Sequence, residues 1–445
     1  MAKPTAADAD RLICITSDAH IGTFAMDFEK YLDPDMRSTY RERHAALQNF
    51  LTPHGEPDVA KLLAALGDND TFNVIGEILR PDIIERQQAD RRRFLLQHFG
   101  DEGALATLST GGEGNPKRQV LELEADGTVG GICLPQASPF GFGGKLSPEE
   151  AKAGADAVNR WVVDFVSVAP ERHAGAFTIS LEAGMDVAIE QVKWCRKNGL
   201  RGGLLLDTNP EVKGLPLYNA RYWDPLWEVC ADHDVVVNLH AGAGPRIPQR
   251  GAQVLWTIDN RWFMSRPLRY FIMGGVFDRY PKLKVMFIEC NASWAIEEVR
   301  LLDAVCSGEW EQVESANRQF FHMKINHDDS DVDWKVHMLR TAKATLKKPP
   351  SEYCRSNVWF SITASPEEWD ARKYFGADRL LWGSDYPHNE STWPHSMEQV
   401  AKTIDKCHVS AEDARQILGT NAAKLWEFDL AKLQPIADRV GPTFN

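Results

Sequence analysis

Short apolar runs alternate with helical segments along most of this 445-residue chain. They span residues 12–16, 130–135, 174–180, 202–207, 235–240, 284–289, 358–362 and 379–385, with helices expected between them, for example at 186–198 and 222–233. Continuous apolar strands separated by helices are typical of a parallel sheet covered on both faces. Eight in succession favour a closed (β/α)8 barrel over an open, doubly wound sheet. We therefore predict an α/β fold, a TIM barrel, with residues 1–445 as a single domain.

The stretch from residue 26 to residue 112 interrupts this alternation after the first strand. It contains helical patterns such as VAKLLAAL (59–66) and IIERQQADRRRFLLQHF (83–99). Because it is too long for an ordinary strand-to-helix loop, we interpret it as a helical insertion. It would form a lid over the barrel, a dimer surface, or both. We expect a homodimer, the commonest oligomer among soluble proteins.

The overall charge and the apolar pattern argue against several classes of protein. The net charge of −13 disfavours a nucleic-acid-binding surface, where a basic stripe is expected. No apolar run reaches the roughly 18 residues of a membrane span, and the N-terminus lacks a signal-peptide pattern. The eight cysteines include no CxxC pair, which favours a reducing compartment. We therefore expect a cytoplasmic protein that acts on a small molecule and binds neither nucleic acid nor membrane.

Catalytic residues of such barrels lie at the carboxyl ends of the strands. Here those positions hold Asp18, His20, Asp207, His240, Glu289, Asn291, Asp385 and His388. Asp18 and His20 are two residues apart, so in an extended segment both side chains project to the same side. Two imidazoles and two carboxylates suit Zn²⁺, Mn²⁺ or Fe²⁺. We predict one divalent cation per chain, with Zn²⁺ favoured, held by Asp18, His20, His240 and Asp385.

Each of these residues also has an ordinary structural explanation. A lone Asp-x-His pair is often a helix cap, a histidine that ends a strand is often hydrogen-bonded in the core, and an aspartate before a loop is often a turn residue. The combination favours a metal site, because three independent strand ends present ligand-type residues at the same rim. A metal held there activates water or polarises a substrate oxygen. The alternative is a barrel without catalysis that serves as a binding or assembly protein.

Five segments resemble the amidohydrolase superfamily, and within it the branch of aminocarboxymuconate-semialdehyde decarboxylase and the resorcylate decarboxylases. They are SDAHIG (17–22), YWDPLWEVCADHDVVVNLHAGAG (222–244), YPKLKVMFIECNASWAIEEVRLLD (280–303), GSDYPHNESTWP (383–394) and ARQILGTNAAKLWEFD (414–429). The resemblance implies a distorted (β/α)8 barrel with a mononuclear metal on Asp18, His20, His240 and Asp385. The first motif is commonly His-x-His in this family, and the chain has its carboxylate-x-His form. No lysine stands beside Asp207 after the fourth strand, which argues against a binuclear site.

The resemblance leaves two reactions open. Decarboxylases of this branch use a histidine at the end of the sixth strand, where this chain has Glu289. A buried glutamate serves either as a general acid or as a structural anchor. The missing histidine favours a hydrolase in which metal-activated water attacks a small cyclic or aromatic carboxylate, ester or amide, and Asp385 accepts the proton. The alternative is a metal-dependent, non-oxidative decarboxylase (a lyase) of a cyclic or aromatic carboxylic acid.

Other residues near the strand ends have open assignments. His388, in the loop after the last strand, is interpreted as an acid–base group, with a loop-ordering role as the alternative. Arg246 and Arg250 either clamp a substrate carboxylate or lie on the surface. Tryptophans on loops could line an aromatic substrate pocket; they are Trp256, Trp262 and Trp393. The remaining histidines considered are expected to be structural or loop residues: His54, His98, His173, His322, His327 and His337.

Overall fold

The computed structural model describes residues 11–23, 26–49, 81–100, 111–140, 146–241, 252–308, 342–388 and 391–443. Within these ranges the sheet consists of parallel strands β1 (Ile15–Thr16), β2 (His20–Ile21), β3 (Gly130–Pro135), β4 (His173–Phe177), β5 (Gly203–Leu206), β6 (Val236–His240), β7 (Lys284–Ile288), β8 (Val358–Ile362) and β9 (Leu380–Trp382). Each strand from β3 to β9 pairs with the next, and both β1 and β2 pair with β3.

The first and last strands meet, so the sheet closes on itself. The N–H of Ser17 donates to Trp382 O at 2.8 Å, and the N–H of His20 donates to Tyr386 O at 2.7 Å. A parallel bridge also joins Ala19 to Tyr386. With β1 and β2 taken as one interrupted strand, eight parallel strands surround the core, which confirms the predicted (β/α)8 barrel.

Side chains alternate along each strand between the inside of the barrel and the surrounding helices. Ile132, Val236 and Met286 belong to one buried cluster inside the barrel. Their neighbours Val237 and Phe287 belong to a larger cluster between the strands and the helices. The strands are mainly apolar in sequence because both of their faces are buried.

Helices cover the outside of the barrel. The described α-helices are Arg37–Gln48, Pro81–Phe99, Pro116–Ala125, Pro148–Val166, Met185–Lys197, Asp224–Asp232, Ala252–Met273, Val276–Arg279, Ser293–Ser307, Pro350–Asn357, Pro366–Asp370, Arg372–Phe375, Ser396–Lys406, Ala411–Arg415, Asn421–Trp426 and Leu430–Val440. Short 3-10 helices lie at Glu29–Tyr31, Pro34–Met36, Pro210–Lys213, Arg221–Trp223 and Ala377–Arg379, and a π-helix at Gln416–Thr420. No helix in the described ranges combines the length and the apolar composition needed to cross a membrane.

The helix Pro148–Val166 illustrates how the sequence sets these boundaries. Ser147 Oγ accepts the N–H of Glu150 at 3.2 Å, and Glu150 Oε2 accepts the N–H of Ser147 at 2.8 Å. This capping box satisfies two N–H groups that the first turn would otherwise leave unpaired. Trp161 and Phe165 on one side of the helix are buried in the cluster that covers the strands.

The C-terminal segment fills the end of the barrel at which the strands begin. Trp426 and Leu433 join the cluster inside the barrel, and the N–H of Leu12 donates to Pro442 O at 2.9 Å. A β-carbon at position 419 would lie 2.3 Å from Ile13 O, so only glycine allows this close approach. The site described below lies at the other end of the barrel.

The described parts of the predicted insertion are mostly helical. Helix Pro81–Phe99 packs on the loop after β9, where Leu95 joins a small core with Tyr386 and Trp393. Asp90 also pairs with His395, its Oδ2 lying 2.8 Å from Nε2. The predicted helical run at 59–66 lies outside the described residues. The division into a barrel and an insertion at 26–112 stays a prediction.

Candidate metal centre

The four side chains predicted as metal ligands converge at the carboxyl ends of the strands. Asp18 lies at the break between β1 and β2, His20 begins β2, His240 ends β6, and Asp385 follows β9. His20 Nε2 lies 3.2 Å from Asp18 Oδ1 and 3.3 Å from Asp385 Oδ1. His240 Nε2 lies 3.7 Å from Asp18 Oδ1. The barrel thus brings together residues that are distant in the sequence.

Two further residues expected at the site border the same cluster. Glu289 follows β7, and its Oε2 lies 3.5 Å from His240 Nε2. His388 Nδ1 lies 2.8 Å from Asp385 Oδ1. The ring of His388 stacks on that of His20, with centroids 4.0 Å apart. Three carboxylates and three imidazoles therefore face one region at the mouth of the barrel.

The backbone turns sharply where two of these residues leave their strands. Glu289 has φ 54° and Asp385 has φ 58°, in a left-handed region that is unfavourable for residues with a β-carbon. The N–H of Asp385 donates to Asp18 O at 3.0 Å, which fixes the turn against the first strand. Strained backbone of this kind costs about 1–3 kcal/mol per residue and is concentrated at functional sites.

Hydroxyl groups and a glycine hold β9 close to Asp18. Thr16 Oγ1 donates to Asp18 O at 2.8 Å and accepts the N–H of Ser384 at 2.9 Å. A β-carbon at Gly383 would lie 2.8 Å from the Asp18 β-carbon, so a larger residue would push the two segments apart. The positions of Asp18 and Asp385 relative to each other are therefore set by the backbone.

The donor atoms of the cluster have the pattern of a cation site. Asp18 Oδ1, His20 Nε2, His240 Nε2 and Asp385 Oδ1 are buried and have no hydrogen-bond partner within the described residues. An unpaired buried polar atom costs about 1–3 kcal/mol, which a cation between these atoms would offset. Their closest separations, 3.2–3.7 Å, resemble the spacing of about 3.0–3.4 Å between neighbouring donors around a cation with bonds of about 2.1 Å. The residues present therefore fit a divalent cation.

The tautomer of His240 is suited to this use. Its Nδ1 lies 2.9 Å from Ala241 O, and a carbonyl oxygen only accepts, so Nδ1 carries the proton. Nε2 then faces Asp18 and Glu289 and is the ring nitrogen that could bind a cation. A backbone carbonyl that orients a histidine in this way is a common outer partner in metal sites.

Burial and neighbouring charges shift the pKa values of the protein groups in opposite directions. Burial favours the neutral carboxyl of Asp18, but the adjacent His20 and His240 outweigh it and lower its pKa. Burial disfavours protonated His240, but Asp18 outweighs it and raises its pKa to about 9. Glu289 differs, because burial dominates and raises its pKa to about 7. A carboxyl with such a pKa can exchange a proton near neutral pH.

Other residues singled out in the sequence lie elsewhere. Asp207 pairs with Lys213, Oδ2 lying 2.9 Å from Nζ, and Asn291 Oδ1 accepts the N–H of Ser293 at the start of a helix. Trp262 is half exposed, whereas Trp393 is buried. His98 is exposed beside Phe94 O, and His173 is buried. Outside the described residues or side chains lie His54, Arg246, Arg250, Trp256, His322, His327 and His337.

Two residues that contact the site were missed by the sequence analysis. Gln136 follows β3, and its Oε1 lies 3.0 Å from His388 Nε2. Arg91, in helix Pro81–Phe99, donates to His388 O. Gln136 directly follows β3, so its place at a strand end is the sequence signal that points to it. No sequence signal pointed to Arg91, because its partner lies 297 positions away.

Comparison with known proteins agrees with this architecture. A family model described as amidohydrolase matches residues 138–314 and 328–428, more than half of the chain. The structure resembles 5-carboxyvanillate decarboxylase from Sphingomonas paucimobilis with a TM-score of 0.55 and 15% identity, over 94% of this chain and 100% of that one. It resembles 2,6-dihydroxybenzoate decarboxylase from Rhizobium with a TM-score of 0.52 and 16% identity, over 75% of this chain and 95% of that one.

A third similar structure has another activity. It is 4-oxalomesaconate hydratase from Rhodopseudomonas palustris, with a TM-score of 0.50 and 14% identity, over 95% of this chain and 98% of that one. At these identities the solved structures show the shared fold. The family match, together with the residue cluster, shows more: the chain is an enzyme of the amidohydrolase family, part of a metal-dependent superfamily.

Proposed function

We propose that this enzyme is a metal-dependent hydrolase of a small cyclic or aromatic carboxylate, ester or amide. The observation that carries the proposal is the set of unpaired, buried donor atoms at the barrel mouth with a separate carboxyl, Glu289, beside them. The cation is held by Asp18, His20, His240 and Asp385. Zn²⁺ is proposed, with Mn²⁺ and Fe²⁺ as alternatives that the same ligands accept.

The cation, Asp385 and Glu289 have separate roles in the proposed reaction. A bound divalent cation supplies Lewis acidity, which lowers the pKa of water and polarises a carbonyl oxygen. Asp385 accepts the proton that water loses when its oxygen bonds to the acyl carbon. Glu289 donates a proton to the departing oxygen or nitrogen as the acyl bond breaks. Glu289 suits this role by position, because its Oε2 lies 3.5 Å from His240 Nε2, at the edge of the ligand cluster.

A test of the reaction follows the fate of water. The purified, Zn²⁺-loaded enzyme is incubated with a panel of cyclic and aromatic esters, amides and carboxylates in ¹⁸O-labelled water. We expect one panel member to yield an acid that contains one ¹⁸O atom, and a Glu289→Gln variant to lose this activity. Turnover without incorporation of ¹⁸O would contradict hydrolysis.

The second candidate is a non-oxidative decarboxylase. Its support is the similarity of the fold, over nearly the whole chain, to 5-carboxyvanillate decarboxylase. In that reaction Glu289 would deliver a proton to the ring carbon that loses carboxylate. Release of CO₂ from an aromatic acid without consumption of water would establish this alternative instead.

The metal assignment has its own test, which needs no substrate. Elemental analysis of the purified wild type is compared with that of His240→Ala and Asp385→Ala. About one Zn or Mn per chain in the wild type, lost in both variants, is the expected result. Metal that survives both substitutions would contradict the ligand assignment.

Assembly and location are also proposals. We propose a homodimer in the cytoplasm, as the sequence predicted. Light scattering of the purified protein would test the dimer, and a mass of one chain, 50.0 kDa, would contradict it.

A further inference from the structure

The ring of His388 is held in a defined orientation by Gln136. The amide Nε2 of Gln136 donates to Gly22 O at 3.2 Å, which leaves its Oε1 facing His388 Nε2 at 3.0 Å. The opposite amide orientation would place two acceptor oxygens against each other at Gly22. Because an amide oxygen only accepts, Nε2 of His388 must carry a proton.

The other ring nitrogen of His388 faces the metal cluster. Nδ1 lies 2.8 Å from Asp385 Oδ1. Both atoms are nevertheless buried and without a hydrogen-bond partner among the described residues. With the proton on Nε2, Nδ1 carries a lone pair and lies beside a carboxylate oxygen of the proposed ligand set.

The backbone of His388 is fixed as well. Arg91 donates to His388 O, and its guanidinium lies 5.1 Å from the ring centre of Trp393. The ring itself stacks on His20. A side chain that is restrained on its ring, its Nε2 and its backbone loses little conformational entropy when Nδ1 gains a ligand.

From this geometry we infer that His388 binds the cation through Nδ1, as a fifth protein ligand, and that Gln136 is the positioning residue that fixes the required tautomer. His20, Asp385 and His388 already offer three donor atoms within 4.8 Å of one another. This assignment replaces the acid–base role expected for His388 from the sequence and leaves that role to Glu289. It rests on the proposed metal site and is independent of which reaction the enzyme catalyses.

The test measures Co²⁺ binding to the chelator-treated protein. Co²⁺ is titrated in competition with a chromophoric chelator, and its visible absorption band is recorded in the same experiment. The variants are His388→Ala, Gln136→Met and Gln136→Glu. The control is His395→Ala, which removes a histidine of the same segment that pairs with Asp90 instead.

We expect Gln136→Met to weaken Co²⁺ binding about 10- to 100-fold, as is usual when an outer partner of a histidine ligand is lost. His388→Ala should weaken it at least as much and alter the absorption band, because a nitrogen donor is removed. Gln136→Glu keeps an acceptor for Nε2–H but sets a second oxygen against Gly22 O, so it should bind Co²⁺ more tightly than Gln136→Met and less tightly than the wild type. His395→Ala should match the wild type.

Two results would overturn the inference, in distinguishable ways. If His388→Ala and Gln136→Met bind Co²⁺ like the wild type, with the same band, His388 is not a ligand, while the four-residue site and the proposed function stand. If the wild type itself binds no Co²⁺, the proposed metal site falls together with this inference. Circular dichroism of each chelator-treated variant verifies folding, and Gln136→Met tests the same point if His388→Ala does not fold.

Discussion

Replacing Asp126 with asparagine tests the electrostatic argument at a residue outside the metal cluster. Asp126 follows helix Pro116–Ala125 and is buried, and its Oδ1 accepts the N–H of Ser396 at 2.9 Å. Among the described residues, its Oδ2 has no hydrogen-bond partner. Burial raises the pKa of this carboxyl to about 8, against about 3.9 in an unfolded chain. The folded protein therefore favours its neutral form.

A raised pKa in the folded state sets the sign of the pH dependence. The contribution of Asp126 to stability is fully present below about pH 4 and is lost as the pH rises towards about 8. Between pH 5 and pH 7 the loss is about 3 kcal/mol, since each of the two pH units in this window corresponds to about 1.36 kcal/mol. Asparagine retains the acceptor for Ser396 and has no charge, so the variant avoids this loss.

The expected change in melting temperature follows from the size of the chain. An unfolding entropy of about 2.1 cal/mol/K per residue gives about 0.9 kcal/mol/K for this protein, so about 3 kcal/mol corresponds to about 3 °C. We compare the Tm of Asp126→Asn with that of the wild type by calorimetry, both proteins being treated with chelator. The increase in Tm caused by the substitution should be about 3 °C larger at pH 7 than at pH 5. Asp438→Asn, at an exposed carboxyl, controls for the loss of a charge. An equal gain at both pH values would refute the argument, because Asp126 would then be ionised throughout.

Three further predictions concern the site and its support. Glu289→Gln should lower kcat by about 10²- to 10⁴-fold, the usual contribution of general acid–base catalysis. Elemental analysis should show the wild-type metal content in this variant. Loss of the metal would show instead that Glu289 is a ligand. Tyr386→Phe removes a donor to the buried carboxylate of Glu122. The variant should be destabilised by about 1.5–3 kcal/mol and should have a lower Tm; an unchanged Tm would contradict this prediction. Removing the metal with a chelator should lower the Tm, because a cation that binds only the folded state stabilises it; equal Tm values with and without chelator would argue against a bound cation.

The sequence by itself determined the architecture and the central residues of the site. Strands buried on both faces must be apolar throughout, so the eight runs were visible without any long-range information. Because parallel strands of a barrel place their carboxyl ends at one rim, Asp18, His20, His240 and Asp385 could be assigned to one cluster. The predicted strand limits differ from the observed ones: Leu12, predicted in the first strand, pairs instead with Pro442, and β9 ends at Trp382 because the chain turns towards Asp385.

Only the tertiary structure decided how the site is supported. The contacts of His388 with Gln136 and Arg91 join positions 252 and 297 residues apart, and no local pattern encodes such a pair. The same holds for the docking of helix Pro81–Phe99 on the loop after β9, which depends on the packing of Leu95, Tyr386 and Trp393. Local periodicity reports which face of an element is buried, but not which distant segment covers it. The tautomer of a histidine is likewise set by its partners in space, so the orientation of His388 became apparent only in the folded chain.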